Sequence, residues 1–174
     1  MYHTHNTLAE SIRGQSIEIL NKHLAAAIDL HAQVKQAHWN VRGPNFTALH
    51  ELFDKVLEQV EGFSDKLAER AGSSGGTAHG TLQVAAARSF HVPYPHGLGD
   101  GQQHVFAVAS SLAAFGQSVR DATREITDYG DLATADLFTE ICRGIDLQLW
   151  LVESHMVPKN ETSSSPKSSA ASKR

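Results

Sequence analysis

The sequence predicts an all-α fold, a bundle of four long helices with one short helix in a long crossover between the second and third. Three observations carry this reading. Apolar residues recur at helical spacing through four separate segments. Glycine or proline stands just beyond two of those segments, at Gly72-Ser73-Ser74-Gly75-Gly76 and at Pro158. About 25 residues separate the second segment from the third, too many for a plain antiparallel hairpin.

The first helix is expected from about Leu8 to Ala37, its stripe running through Ile12, Ile19, Leu20, Leu24, Ile28 and Val34. The second starts near Asn45, which can cap it after the Gly43-Pro44 turn, and continues through Leu49, Phe53, Val56, Val60, Phe63 and Leu67. Within the crossover, Leu82–Arg88 reads as a short helix, and Pro93-Tyr94-Pro95-His96-Gly97 resets the chain direction. The third spans about Gln102 to Thr127 and the fourth about Leu132 to Met156. One long crossover in a four-helix bundle is the ferritin-like topology.

At 174 residues the chain has room for one well-buried domain. The expected organisation is a flexible segment over residues 1–7, the helical domain over 8–157, and a disordered Ser/Lys-rich tail over 158–174. No run nears the roughly 20 apolar residues that span a bilayer, and residues 1–6 lack the basic-then-apolar layout of a signal peptide. The lone cysteine, Cys142, reads as a buried inert thiol. A cytoplasmic location is therefore expected. The formal charge is −4, yet the tail carries Lys159, Lys167, Lys173 and Arg174 against Glu161. The body is thus more acidic than the whole, which suits cation uptake better than a nucleic-acid surface.

The second helix carries His50, Asp54, Asp65 and Glu69. At 100° per residue they fall near 0°, 40°, 60° and 100°, one sector of its surface. Imidazole and carboxylate are ligands that iron and manganese accept. The plain alternative is a solvated charged face. The midpoints of the two pairs lie about 22 Å apart at 1.5 Å per residue, so no single ion bridges them within one chain. If two copies of this helix pack antiparallel about a two-fold axis near residues 59 and 60, each His-Asp pair meets an Asp-Glu pair of the neighbour.

The run His38-Trp39-Asn40-Val41-Arg42-Gly43-Pro44-Asn45-Phe46, followed by Leu49-His50-Glu51 and Phe53-Asp54, folds the end of the first helix beside the start of the second, so that His38 approaches His50. This run resembles the Dps family (DNA-binding proteins from starved cells), and the likeness covers roughly residues 8 to 157. It implies a ferroxidase that oxidises Fe(II), preferably with hydrogen peroxide, and stores ferric mineral in a hollow homo-dodecamer, with zinc and other divalent metals able to occupy the site. It also implies that His38, His50 and Asp54 of one subunit join Asp65 and Glu69 of the two-fold mate. Trp39 resembles the tryptophan that intercepts stray radicals, and Glu51 a carboxylate that seeds mineral. Where a second seeding carboxylate is expected, this chain has Lys55. Asp136 matches best, and Asp131 less well, the acidic residues lining the pores through which Fe(II) passes. Some family members condense DNA through lysine-rich tails. The alternative reading is thus a nucleoid-associated DNA-binding protein acting through Lys159, Lys167, Lys173 and Arg174.

Two other chemistries fit poorly. No glutamate is followed three residues later by histidine, as a ferritin site within one bundle requires. His50-Glu51-Leu52-Phe53-Asp54 ends in aspartate where a zinc protease needs a second histidine. Of the other histidines, His31 is expected at a packing interface, and His91, His96 and His104 at the surface. His3 and His5 form a second, N-terminal candidate for Cu(II) or Ni(II).

Overall fold

The computed structural model describes residues 1–156. Its elements are α1 (Glu10–Asn40), α2 (Phe46–Ser73), α3 (Leu82–Arg88), α4 (Gly101–Tyr129) and α5 (Leu132–Glu153), and no strand occurs among the described residues. The four long helices and the short crossover helix are those the sequence predicts. The largest boundary shifts are three residues each: α5 ends at Glu153 where the sequence predicts Met156, and α1 continues beyond Ala37 to Asn40. It stops where Val41 turns extended, before Gly43 at φ 109° and Pro44.

Three of these five helix starts are capped by a side chain, and those of α1 at Ala9 and α2 at Asn45 are not. Thr81 accepts from the Val84 N–H, Asp100 from Gln103 and Asp131 from Thr134, each satisfying an otherwise unpaired first-turn donor. Asn45 does occupy the cap position of α2, but its side chain accepts no hydrogen bond. The Gly43 and Asn45 carbonyls close that turn instead, accepting from the N–H groups of Phe46 and Leu49 at 3.0 Å each.

α1 packs chiefly on α2 and α4 on α5, while α1 also meets α4 and α3 lies on α1. Leu20, Leu30, Phe53, Phe115, Phe138 and Ile145 are fully enclosed between the layers. Burying each such side chain is worth about 2 kcal/mol, which is why the apolar stripes choose the pairing. A histidine shares this core. His23 sits edge-on to Phe138, its Nδ1 at 2.8 Å from the Ile19 carbonyl and its Nε2 at 3.0 Å from Ser118 Oγ.

Residues 1–7, expected to be free, are laid against the end of α2. The Tyr2 N–H donates to the Gly75 carbonyl at 2.7 Å, and the Arg13 guanidinium donates to the Ser74 carbonyl at 2.8 Å. Gly75 has φ 86°, and a Cβ there would lie 2.9 Å from Arg13 Nη1. Glycine is required on both counts. Among the described residues no helix is long and apolar enough to cross a membrane. The tail expected over 158–174, with its four basic residues, lies outside the described residues.

Candidate metal centre

The α1–α2 turn is tight, so the last turn of α1 and the first turn of α2 stand side by side. This brings together residues twelve positions apart in sequence. The rings of His38 and His50 stack with centroids 3.7 Å apart and planes 26° apart. The Nδ1 of His38 lies 3.2 Å from the His50 carbonyl, and the Nδ1 of His50 lies 3.1 Å from the His38 carbonyl. With Nδ1–H donating to a carbonyl, a neutral imidazole keeps its Nε2 lone pair for a metal, and His38 Nδ1 also lies 3.2 Å from Asp54 Oδ1.

Asp54, one turn after His50, completes the cluster. One ligand atom from each of His38, His50 and Asp54 lies within 4.8 Å of the others. Among the described residues this is the only group of three histidine, cysteine or acidic side chains so arranged. Burial is graded across it, His38 being buried, His50 half-buried and Asp54 exposed. The set is therefore anchored on the protein side and open on the other. Borderline imidazole nitrogens with a hard carboxylate fit divalent iron or zinc.

Asp65 and Glu69 are exposed farther along α2 and join no such cluster within the chain. α2 runs unbroken past both pairs, so the chain by itself brings together three of the five anticipated residues. Trp39 projects beside the centre at 68% exposure. The Phe46 ring covers one side of His50 at 5.1 Å. Glu51 and Lys55 are both exposed on α2.

The two acidic pore candidates differ in environment. Asp136 is exposed on α5. Asp131 is 2% exposed, caps α5 and pairs with Arg70 at 3.0 Å. Burial raises the proton affinity of its carboxyl, but hydrogen bonds from the Thr134 hydroxyl and N–H, with the Arg70 charge, outweigh this and hold it below the usual range. Asp131 faces the fold and not the solvent.

Sequence reading missed several features. Lys35 Nζ reaches Asp54 Oδ1 at 3.3 Å, so an ammonium accompanies the carboxylate; lysine is not a metal ligand, and nothing in its spacing singled it out. His104 is not a surface residue. It is 2% exposed, because the crossover folds over the first turn of α4. His91 is half-buried against Phe115, whereas His96 is exposed as expected. His31 is half-buried in a groove beside Ile28, Glu61 and Ser64. Cys142 is half-buried rather than buried, 3.6 Å from Arg120 Nη1. The His3 and His5 rings lie 5.3 Å apart, edge to face.

Comparison with known proteins bears on this arrangement. Residues 17–158 match the Ferritin-like domain family. The chain is 37% identical over 157 residues to the DNA protection during starvation protein of Agrobacterium fabrum, covering 90% of this chain and 97% of that protein. Among solved structures it is similar to DpsC from Streptomyces coelicolor, at 30% identity and a TM-score of 0.84, with 91% of each chain covered. A Dps structure from Mycobacterium smegmatis superposes with a TM-score of 0.86 at 27% identity, covering 91% of this chain and 96% of that one.

Proposed function

The chain belongs to the Dps family of ferritin-like proteins, and from that premise we propose that it oxidises Fe(II), preferably with hydrogen peroxide, and stores the ferric product inside a homo-dodecamer. The observation that carries this reading is the clasped pair His38 and His50 beside Asp54, with one ligand atom from each residue within 4.8 Å of the others. The carboxylates missing from that cluster, Asp65 and Glu69, lie farther along the same helix, and a two-fold mate packed antiparallel on α2 would bring its own copies of them to the cluster.

Fe(II) is the substrate. His38, His50 and Asp54 of one subunit hold it with Asp65 and Glu69 of the mate, and Glu69 bridges to a second ion. Hard carboxylate oxygens favour Fe(III) over Fe(II), which drives the oxidation. Two Fe(II) ions give one electron each to hydrogen peroxide, which takes up two protons and leaves as two waters, without releasing a hydroxyl radical. Asp136 contributes to the acidic approach route, Glu51 seeds mineral, and Asp131 is left to its structural pairing. The reading places the protein in the cytoplasm.

Fe(II) added without oxygen and followed by peroxide should give a rapid ferric absorbance in the wild type and a slow one in Asp65→Ala. Equal rates would defeat the site. Mixing His50→Ala with Asp65→Ala subunits should restore activity, because a mixed dimer keeps one intact site.

A DNA-binding role is the second reading, favoured by the names of the relatives. Its residues would be Lys159, Lys167, Lys173 and Arg174, multiplied by assembly. Deleting everything after Val157 should abolish a gel shift in low salt; an unchanged shift would sink the tail hypothesis.

A further inference from the structure

The crossover buries a tyrosine and a histidine that the iron site does not use. Tyr94 is 9% and His104 2% exposed. The Tyr94 hydroxyl lies 2.6 Å from His104 Nδ1, with ring planes only 18° apart. With the phenol as donor and Nδ1 as acceptor, the proton of neutral His104 lies on Nε2. Nε2 makes no hydrogen bond within the chain. The Asn40 carbonyl at the end of α1 faces the imidazole.

The location ties this pair to the metal centre. Asn40 follows Trp39 directly and His38 by two residues. Just ahead of His104 on α4, Gly101 is packed so closely on the α1–α2 turn that a Cβ there would lie 3.0 Å from Leu49 Cδ1 and 3.2 Å from the Arg42 carbonyl. The tyrosine–histidine pair therefore stands behind the turn that clasps His38 to His50, with Trp39 on the outer side.

We propose that Tyr94 and His104 form a redox pair that takes up stray oxidising equivalents from the iron site, Tyr94 giving the electron and His104 Nδ1 receiving the proton. The proposal rests on the iron-oxidation reading, because that chemistry is the source of the oxidant. A site holding a single Fe(II) reduces peroxide by one electron, to hydroxide and a hydroxyl radical. That radical takes an electron from Trp39 and becomes hydroxide. Oxidised Trp39 is restored by an electron from Tyr94, as the phenolic proton moves along the existing hydrogen bond to His104. The net products are Fe(III), two hydroxide ions, a neutral tyrosyl radical and an imidazolium. A further Fe(II) supplies the electron that returns Tyr94 to the phenol, with the proton going back from His104 and Fe(III) left behind. Burial suits this role, since an enclosed radical cannot couple with a second chain, and a preformed proton acceptor spares the phenol a charged intermediate.

The test is electron paramagnetic resonance on freeze-quenched full-length protein, in two arms. One adds peroxide to protein carrying one Fe(II) per site. The other oxidises metal-free protein by flash-quench with a ruthenium photo-oxidant. The chain has three tyrosines, of which Tyr2 and Tyr129 lie outside the pair. A tyrosyl signal is expected in both arms, retained in full by the double variant Tyr2→Phe/Tyr129→Phe and lost in Tyr94→Phe. His104→Gln, which removes the base but keeps the phenol, should slow its formation about a hundredfold. An undiminished signal in Tyr94→Phe, or its loss in the double variant, overturns the proposal. A signal in the photo-oxidised arm alone supports the pair as an electron donor and counts against the iron reading.

Discussion

His38 and His50 hold one another by their backbones: each ring's Nδ1 hydrogen-bonds to the other residue's carbonyl, while the rings stack 3.7 Å apart. Each ligand is thus the orienting partner of the other. A carbonyl survives side-chain substitution, so removing one imidazole leaves the other oriented. His50→Ala is expected to weaken zinc binding at least about a hundredfold while His38 keeps its tautomer. Isothermal titration with zinc measures the first, and imidazole nitrogen NMR shifts the second.

The clasp depends on the turn that closes it. Gly43 has φ 109° and open space around its Cα, so Gly43→Ala meets backbone strain and no clash. It should cost about 1–2 kcal/mol of stability and loosen zinc binding about tenfold. Urea unfolding and the same titration report the two losses. Unchanged zinc affinity would mean that the turn does not set the clasp.

Acid should weaken the fold through three enclosed histidines. Burial disfavours the charged form of His23, His91 and His104 and holds each below its ordinary proton affinity. Their folded-state values lie under the unfolded one, so the stability they contribute is fully present above about pH 6.5 and is lost as pH falls through the folded values. Thermal melts from neutral to about pH 5 should show falling midpoints. The slope should flatten in His23→Leu, which keeps the cavity among the phenylalanines filled.

Asp131 acts at lower pH. Its folded-state carboxyl is held below the ordinary value, so its contribution is present above about pH 4 and vanishes as pH falls through the folded value. Asp131→Ala removes both the α5 cap and the partner of Arg70, and should cost about 2 kcal/mol at neutral pH. Chemical denaturation at neutral and acid pH should show the difference shrinking on acidification.

The α2–α5 contact leaves no room for one methyl group. A Cβ on Gly144 would lie 2.5 Å from Phe63 Cζ and 3.1 Å from Gln59 Nε2. Gly144→Ala should therefore destabilise by about 2 kcal/mol, despite the better helix propensity of alanine. A stabilised variant in urea unfolding would refute the close approach.

The sequence by itself determined the helices and the long crossover, and it singled out the candidate ligand residues. Helical periodicity is a local property, and the 100° step places His50, Asp54, Asp65 and Glu69 on one sector of α2 before any packing is known. It also separates them into two groups that one chain cannot bring to one ion. What only the tertiary structure decided was how each group is held. That His38 and His50 exchange hydrogen bonds through their carbonyls depends on the angle at which the α1–α2 turn sets two helices. Asp131 read as a pore-lining candidate and is instead enclosed by Arg70, 61 residues away on α2, and by Thr134, 3 residues on in α5. His104 looked like a loop-side residue, yet the crossover lays Tyr94 over it. Burial is set by long-range contacts, and no short-range pattern encodes which polar side chains a crossover will cover.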